Sequence, residues 1–122
     1  KMIEKLFHYE YSQSFHCVHF AIEAAKHLYQ KDYTSSFIGL TNSLDDAIRT
    51  SRSTVIQNTR IDRPKEGCIV LMTYHTGNSH VGIFYKHRIF HLCEQGVQRI
   101  TLEQARPLFK RIRFYEPNLN HS

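Results

Sequence analysis

Two strand-length runs, His80-Val-Gly-Ile-Phe-Tyr85 and Arg88-Ile-Phe-His-Leu-Cys93, stand only two residues apart, at Lys86-His87. β-Branched and aromatic residues fill both runs, and so short a gap allows only a tight reversal. This stretch is therefore committed to an antiparallel hairpin. With Lys86-His87 as the turn, Tyr85 pairs with Arg88, Gly82 with His91 and His80 with Cys93. A four-residue loop on the same centre keeps that register, whereas a three-residue loop sends His91 elsewhere. His80 and His91 then share one face as a diagonal pair, roughly 7–8 Å apart at the backbone. Gly82, opposite His91, is expected to leave open space on that face.

The rest of the chain falls on either side of a change in pattern at Gly67. Upstream, Val18, Ala21, Ile22, Ala25, Leu28 and Tyr29 recur at helical spacing, which predicts a helix from about Cys17 to Gln30. Ser12 and Ser14 are its expected capping residues. A second helix is expected from Leu44 to about Arg52, capped by Asn42 or Ser43, with Asp45 and Asp46 suiting the positive end of its dipole. Residues 53–66 read as a connector. Downstream, Cys68 to Thr73 is a strand-length apolar run, and Thr76-Gly77-Asn78-Ser79 is a turn cluster that leads into the hairpin. Gln95-Gly96 turns the chain into a short strand over Val97 to Ile100. Thr101-Leu-Glu-Gln104 fits a capping box opening a helical turn that Pro107 limits. Lys110 to Tyr115 reads as a closing strand, with Ile112 and Phe114 on one face and the basic residues outward.

The 122 residues thus predict one α+β domain, with helices over about 1–52 packed on an antiparallel sheet over 67–115. An apolar fraction of 41% with 12% aromatic residues excludes a disordered chain. No run approaches the roughly 18 apolar residues of a membrane span. Lys1 to Glu10 lacks the apolar core of a secretory signal, so none is expected. Three cysteines do not make a disulfide scaffold, and reduced thiols are expected.

Cys17 falls where the long helix should begin. Unpaired backbone N–H groups and the positive end of the dipole there favour a thiolate. The hairpin supplies the other parts of a nucleophilic site: His80 as a base, and His91 to fix the tautomer and orientation of its ring. Cys93, opposite His80, is a rival nucleophile on geometry, but mid-strand it lacks helix-terminus donors. Cys68 reads as core.

The segments Ser14-Phe-His-Cys17-Val-His-Phe-Ala, Gly67-Cys-Ile-Val-Leu-Met, Ser79-His80-Val-Gly-Ile-Phe-Tyr, Ile89-Phe-His91-Leu and Gly96-Val resemble the NlpC-type cysteine peptidases of cell-wall metabolism. The similarity covers roughly residues 7–115 and is closest to short members encoded among bacteriophage tail genes. It implies a papain-like fold with Cys17 as nucleophile, His80 as general base and His91 as its orienting partner. It further implies that an upstream tyrosine lines the oxyanion site, with Tyr9 and Tyr11 as the candidates. The substrate implied is a peptidoglycan stem peptide, cleaved at an amide without a cofactor. Phage tail-tip proteins are the implied partners, with synthesis in the cytoplasm and residence in the virion tail. The family's Asp-Cys-Ser-Gly box is replaced here by His16-Cys17-Val18-His19, a departure that bears on substrate range rather than on the nucleophile.

Two other readings fit the same residues: a tail assembly component of this fold with an idle thiol, and an amidase or acyltransferase acting on a non-wall substrate. Zinc is not expected, because the chain has no Cys-x-x-Cys, and neighbours such as His16, Cys17 and His19 do not converge on one ion. Seven basic against two acidic residues between Lys86 and Arg113 form a basic half suited to an anionic polymer or to plain solubility. Basic and aromatic residues interleave in the closing segment as in single-stranded nucleic-acid grooves. Strand alternation explains them as well, and nucleic acid is not an expected partner.

Overall fold

The protein was described from a computed structural model covering residues 2–12, 14–37 and 58–118. The helix expected over 44–52 and its caps lie outside these residues, as does the first part of the connector. In chain order the elements are α1 (Met2–Leu6), α2 (Cys17–Tyr29), α3 (Thr34–Phe37), β1 (Thr59–Ile61), β2 (Ile69–Tyr74), β3 (Ser79–Tyr85), β4 (Arg88–Cys93), β5 (Gly96–Ile100), α4 (Leu102–Ala105) and β6 (Phe109–Glu116). The strands form one antiparallel sheet in the order β1-β6-β2-β3-β4-β5. The class is α+β. Among the described residues no helix is long and apolar enough to cross a membrane.

Of the stripe expected on α2, Val18, Ala21 and Ala25 are buried, together with Phe20 and Ala24, while Ile22, Leu28 and Tyr29 pack only partly buried against the core. The alanines bring its backbone close to the sheet, where Ile69, Leu71, Val81, Ile83, Phe90 and Leu92 complete one core layer. Each such fully buried aliphatic or aromatic side chain contributes about 1.5–3 kcal/mol. Strand alternation sends the next residues to the opposite face. There Val70, Met72, Phe84, Ile89 and Phe109 pack under Ala105 of α4.

The helix begins differently from expectation. Its N-cap is His16, whose backbone N–H donates to Nδ1 of His19 at 3.0 Å, with the two Nδ1 atoms 3.1 Å apart. Ser12 is instead drawn into a backbone bridge with Phe15, and its hydroxyl lies 3.3 Å from that of Ser14. At the other end Gln30 takes the left-handed conformation and its N–H closes onto Ala25 and Lys26 carbonyls, as helix C-termini commonly do.

The β3–β4 hairpin has the expected register, with Tyr85 opposite Arg88 and Ile83 opposite Phe90. Lys86 and His87 both have positive φ, 48° and 66°, the type I′ signature whose twist suits a two-residue hairpin. Open space at Gly82 is not found. A Cβ there would stand 2.7 Å from the Phe90 carbonyl oxygen and 3.1 Å from Cβ of His91. The glycine is needed because the neighbouring strand approaches so closely.

Two further elements differ from the sequence expectation. β1, inside the stretch read as a connector, pairs with the far end of β6. Arg113, expected to face outward, is buried on the α2 side of β6, its Nη1 3.4 Å from the Tyr115 hydroxyl. The capping box at Thr101 is present in full: its Oγ1 accepts from Gln104 N–H at 3.1 Å and its own N–H donates to Gln104 Oε1 at 2.9 Å.

Candidate active site

Cys17 is the first residue of α2 and is 4% exposed. Its sulfur is held by backbone at Val81, at Val18 and at its own residue. These contacts pull the thiol toward ionisation, yet burial outweighs them and pushes its pKa up to about 11. The thiolate expected from the helix terminus is therefore not the resting form. A dipole acts over the first turn only, and the removal of water opposes it.

His80, the second residue of β3, and His91 on β4 are 5% and 3% exposed. Nε2 of His80 stands 2.9 Å from Nδ1 of His91, and the rings are nearly perpendicular at 85°. The diagonal pair expected from the hairpin register is formed. Phe109 stacks on His80 at 6.2 Å between centroids, and Tyr74 lies 5.4 Å away. Burial in this aromatic setting lowers the pKa of His80 to about 3, with the neighbouring His91 adding to the effect. Burial lowers that of His91 to about 4. Both rings are neutral at pH 7, and the pair shares one proton along their contact.

Cys17 and His80 belong to opposite sides of β3. Val81 packs with Cys17 in the α2-facing layer, while His80 points to the side of Tyr74 and Phe109. Both nonetheless line one cleft of about 560 Å³ at the end of the sheet where β3 begins. Within the described residues no hydrogen bond joins the sulfur to either histidine ring. The pairing with His91 occupies Nε2 of His80, so Nδ1 is the nitrogen left for a proton from elsewhere.

Of the two tyrosines, Tyr11 lines this cleft and is 40% exposed. Tyr9 does not meet it: its hydroxyl donates to Glu23 of α2 at 3.2 Å and its ring stacks on Phe15. Tyr74, Asn78, Ser79, Cys93, Glu94 and Gln95 supply most of the remaining wall. Tyr74 escaped notice in the sequence, although its even-numbered place on β2 puts it on the same face as His80. Glu94 is the sole charged side chain lining the cleft among the described residues, and its carboxylate helps raise the pKa values of Tyr11 and Tyr74. Cys93 also reaches the cleft, half-buried, with its thiol 3.4 Å from the Gly96 carbonyl oxygen. Cys68 is buried in the other core layer. Among the described residues no three His, Cys, Asp or Glu side chains converge as metal ligands.

No protein-family model matches the chain, and no curated protein does.

Proposed function

We propose that the protein is a cysteine hydrolase of the papain-like, NlpC type, cleaving amide bonds in peptidoglycan stem peptides as a bacteriophage tail-associated endopeptidase. The observation that carries this reading is the opening of Cys17, at a helix N-terminus, and of His80, already paired through Nε2 to His91, onto one cleft. The sequence resemblance supplies the substrate class.

Because thiol and imidazole are both neutral at rest, attack is coupled to proton transfer. The sulfur of Cys17 bonds to the scissile carbonyl carbon as its proton passes to Nδ1 of His80. His91 accepts from Nε2–H and stabilises the imidazolium as it forms. In this reading the backbone N–H of Cys17 and the hydroxyl of Tyr11, which lines the cleft, donate to the oxyanion. Collapse breaks the C–N bond, and Nδ1–H protonates the departing amine. Water then attacks the thioester, giving its proton to Nδ1, and the sulfur leaves and recovers that proton. The products are a free carboxyl group, a free amine and the original thiol. Ring and thiol come into hydrogen-bond reach in the substrate complex, as catalytic contacts that are loose in the free enzyme commonly do.

The test is release of new amino groups from purified peptidoglycan. Cys17→Ala is expected to abolish release while Cys93→Ala retains it. Equal release by Cys17→Ala would end this reading.

One observation favours a second reading, a tail assembly component of the same fold: the thiol is buried and held protonated. That reading expects Cys17→Ala particles to assemble and infect normally, while Ile83→Asp in the core blocks assembly.

A further inference from the structure

The basic half of the sequence is not spread evenly over the surface. Lys86, Arg88 and Arg99 converge on a second cleft, of about 500 Å³, on the α2 side of the sheet and at the turn end of the β3–β4 hairpin. Its residues are distinct from those lining the thiol cleft. The register explains the convergence. Arg99 on β5 is opposite Phe90 on β4, and Arg88, two residues from Phe90, falls on the same face as a diagonal neighbour. Lys86 is placed by the turn: its N–H donates to both Glu66 carboxylate oxygens, at 3.1 and 2.8 Å, and its Nζ lies 5.3 Å from the Tyr85 ring centre.

Two features make this cleft a site and not merely a charged surface. Among the described residues none of the three cations has a carboxylate partner within 4 Å, and no acidic side chain lines the cleft. Two acids that touch residues of the lining are turned to other work, Glu66 to the Lys86 backbone and to Tyr29, and Glu23 to His27 and Tyr9. Beside the cations the lining is mixed, with Ile3, Leu28 and Tyr85 supplying apolar surface and His27 and Gln30 polar groups. A cleft of this size that offers apolar surface beside three converging cations can seat a small anion with an apolar group.

We infer that this cleft binds a phosphate monoester carrying an apolar group. The phosphate, with a charge of about −1.5 to −2 near neutrality, offsets the three cations. Guanidinium groups on two adjacent strands present planar forks to its oxygens, and the apolar part lies against the partly exposed Tyr85, Leu28 and Ile3. The inference does not depend on the thiol chemistry.

Phenyl phosphate, titrated into ¹⁵N-labelled protein and followed by NMR at fixed ionic strength, tests it. Saturable shifts are expected over residues 85–90, 97–100 and the C-terminal turn of α2. Phenyl phosphate should bind at least several-fold more tightly than inorganic phosphate. The Arg88→Gln/Arg99→Gln variant, whose spectrum reports that it is folded, should bind at least tenfold more weakly. Equal binding by that variant, shifts scattered over the whole basic surface, or no saturable shift overturns the inference. Co-sedimentation with phosphatidylcholine vesicles containing phosphatidic acid separates the two sources of such a group. Capture that is lost in the double variant assigns the phosphate to a lipid headgroup, and its absence beside tight phenyl phosphate binding assigns it to a soluble ligand.

Discussion

Nε2 of His80 lies 2.9 Å from Nδ1 of His91, and the far nitrogen of His91, Nε2, is buried without a hydrogen-bond partner among the described residues. The proton the pair shares therefore decides which atom bears the cost. If His80 donates, its Nδ1 is free to accept a proton, and His91 is left with an orphaned N–H in an aromatic pocket. The proposed chemistry needs this arrangement, and an unmade buried hydrogen bond costs about 1–3 kcal/mol.

His91→Asn and His91→Ala should accordingly separate. His80→Ala is expected to lower peptidoglycan turnover by about 10²–10⁴-fold, the usual worth of a general base. His91→Ala should fall part of the way, and His91→Asn less far, because its carbonyl oxygen still accepts from Nε2–H of His80. Turnover rates of the three variants, each checked for folding, decide the order. Equal rates for His91→Ala and wild type would remove His91 from the site.

Acid should destabilise the fold through the same pair. Both rings titrate near 6.5 when unfolded and have lowered values when folded, about 3 and about 4. Between those limits the unfolded chain binds more protons, so stability is fully present above pH 6.5 and declines as pH falls. Urea midpoints from pH 7.5 down to 5 should fall for wild type and fall less for His80→Gln/His91→Gln. A flat wild-type profile would show that the rings are not buried in neutral form.

The Cys17 thiol should behave as a protected group. With its pKa pushed up to about 11 by burial, alkylation is expected to be slow at pH 7 and to accelerate above pH 9. Half-buried Cys93 should be modified first. Site-resolved mass spectrometry across pH reads both. Rapid modification of Cys17 at pH 6 that is slowed in His80→Ala would instead indicate a standing thiolate–imidazolium pair.

Gly82→Ala should be costly although the added group is a single methyl. Its Cβ would press on the Phe90 carbonyl and on His91 at a point where neither backbone can yield cheaply. About 1–3 kcal/mol of lost stability is expected, the range for overpacking a filled interior. Guanidinium denaturation measures it, and a loss below the error of the method would mean that β3 and β4 can part there.

What could be read from the sequence was local. The hairpin register follows from a two-residue gap, the α2 face from its periodicity, and the turn at Thr101 from a four-residue pattern. Each is decided by neighbours in the chain. What escaped depends on distant partners. β1 has no identity as a strand until β6 lies beside it, and Arg113 is buried because Leu71 opposite it belongs to the inner layer. That Tyr11 and not Tyr9 lines the cleft goes with the hydrogen bond from Tyr9 to Glu23, fourteen residues away. The state of the Cys17 thiol depends on distant partners too: a helix start is visible in sequence, but the depth at which it is buried is not.

The sheet order carries a consequence for the moment of synthesis. β6, the last of the described strands, sits between β1 and β2, so among the described strands a growing chain offers β1, and one edge of β2, no partner until residue 116 has left the ribosome. The hairpin bearing both histidines can form well before then, since its contacts are local. A stalled or shortened product would thus display an ordered His80–His91 hairpin beside an open strand edge, the kind of surface that recruits other chains. For this topology, completeness of translation is itself a guard against aggregation.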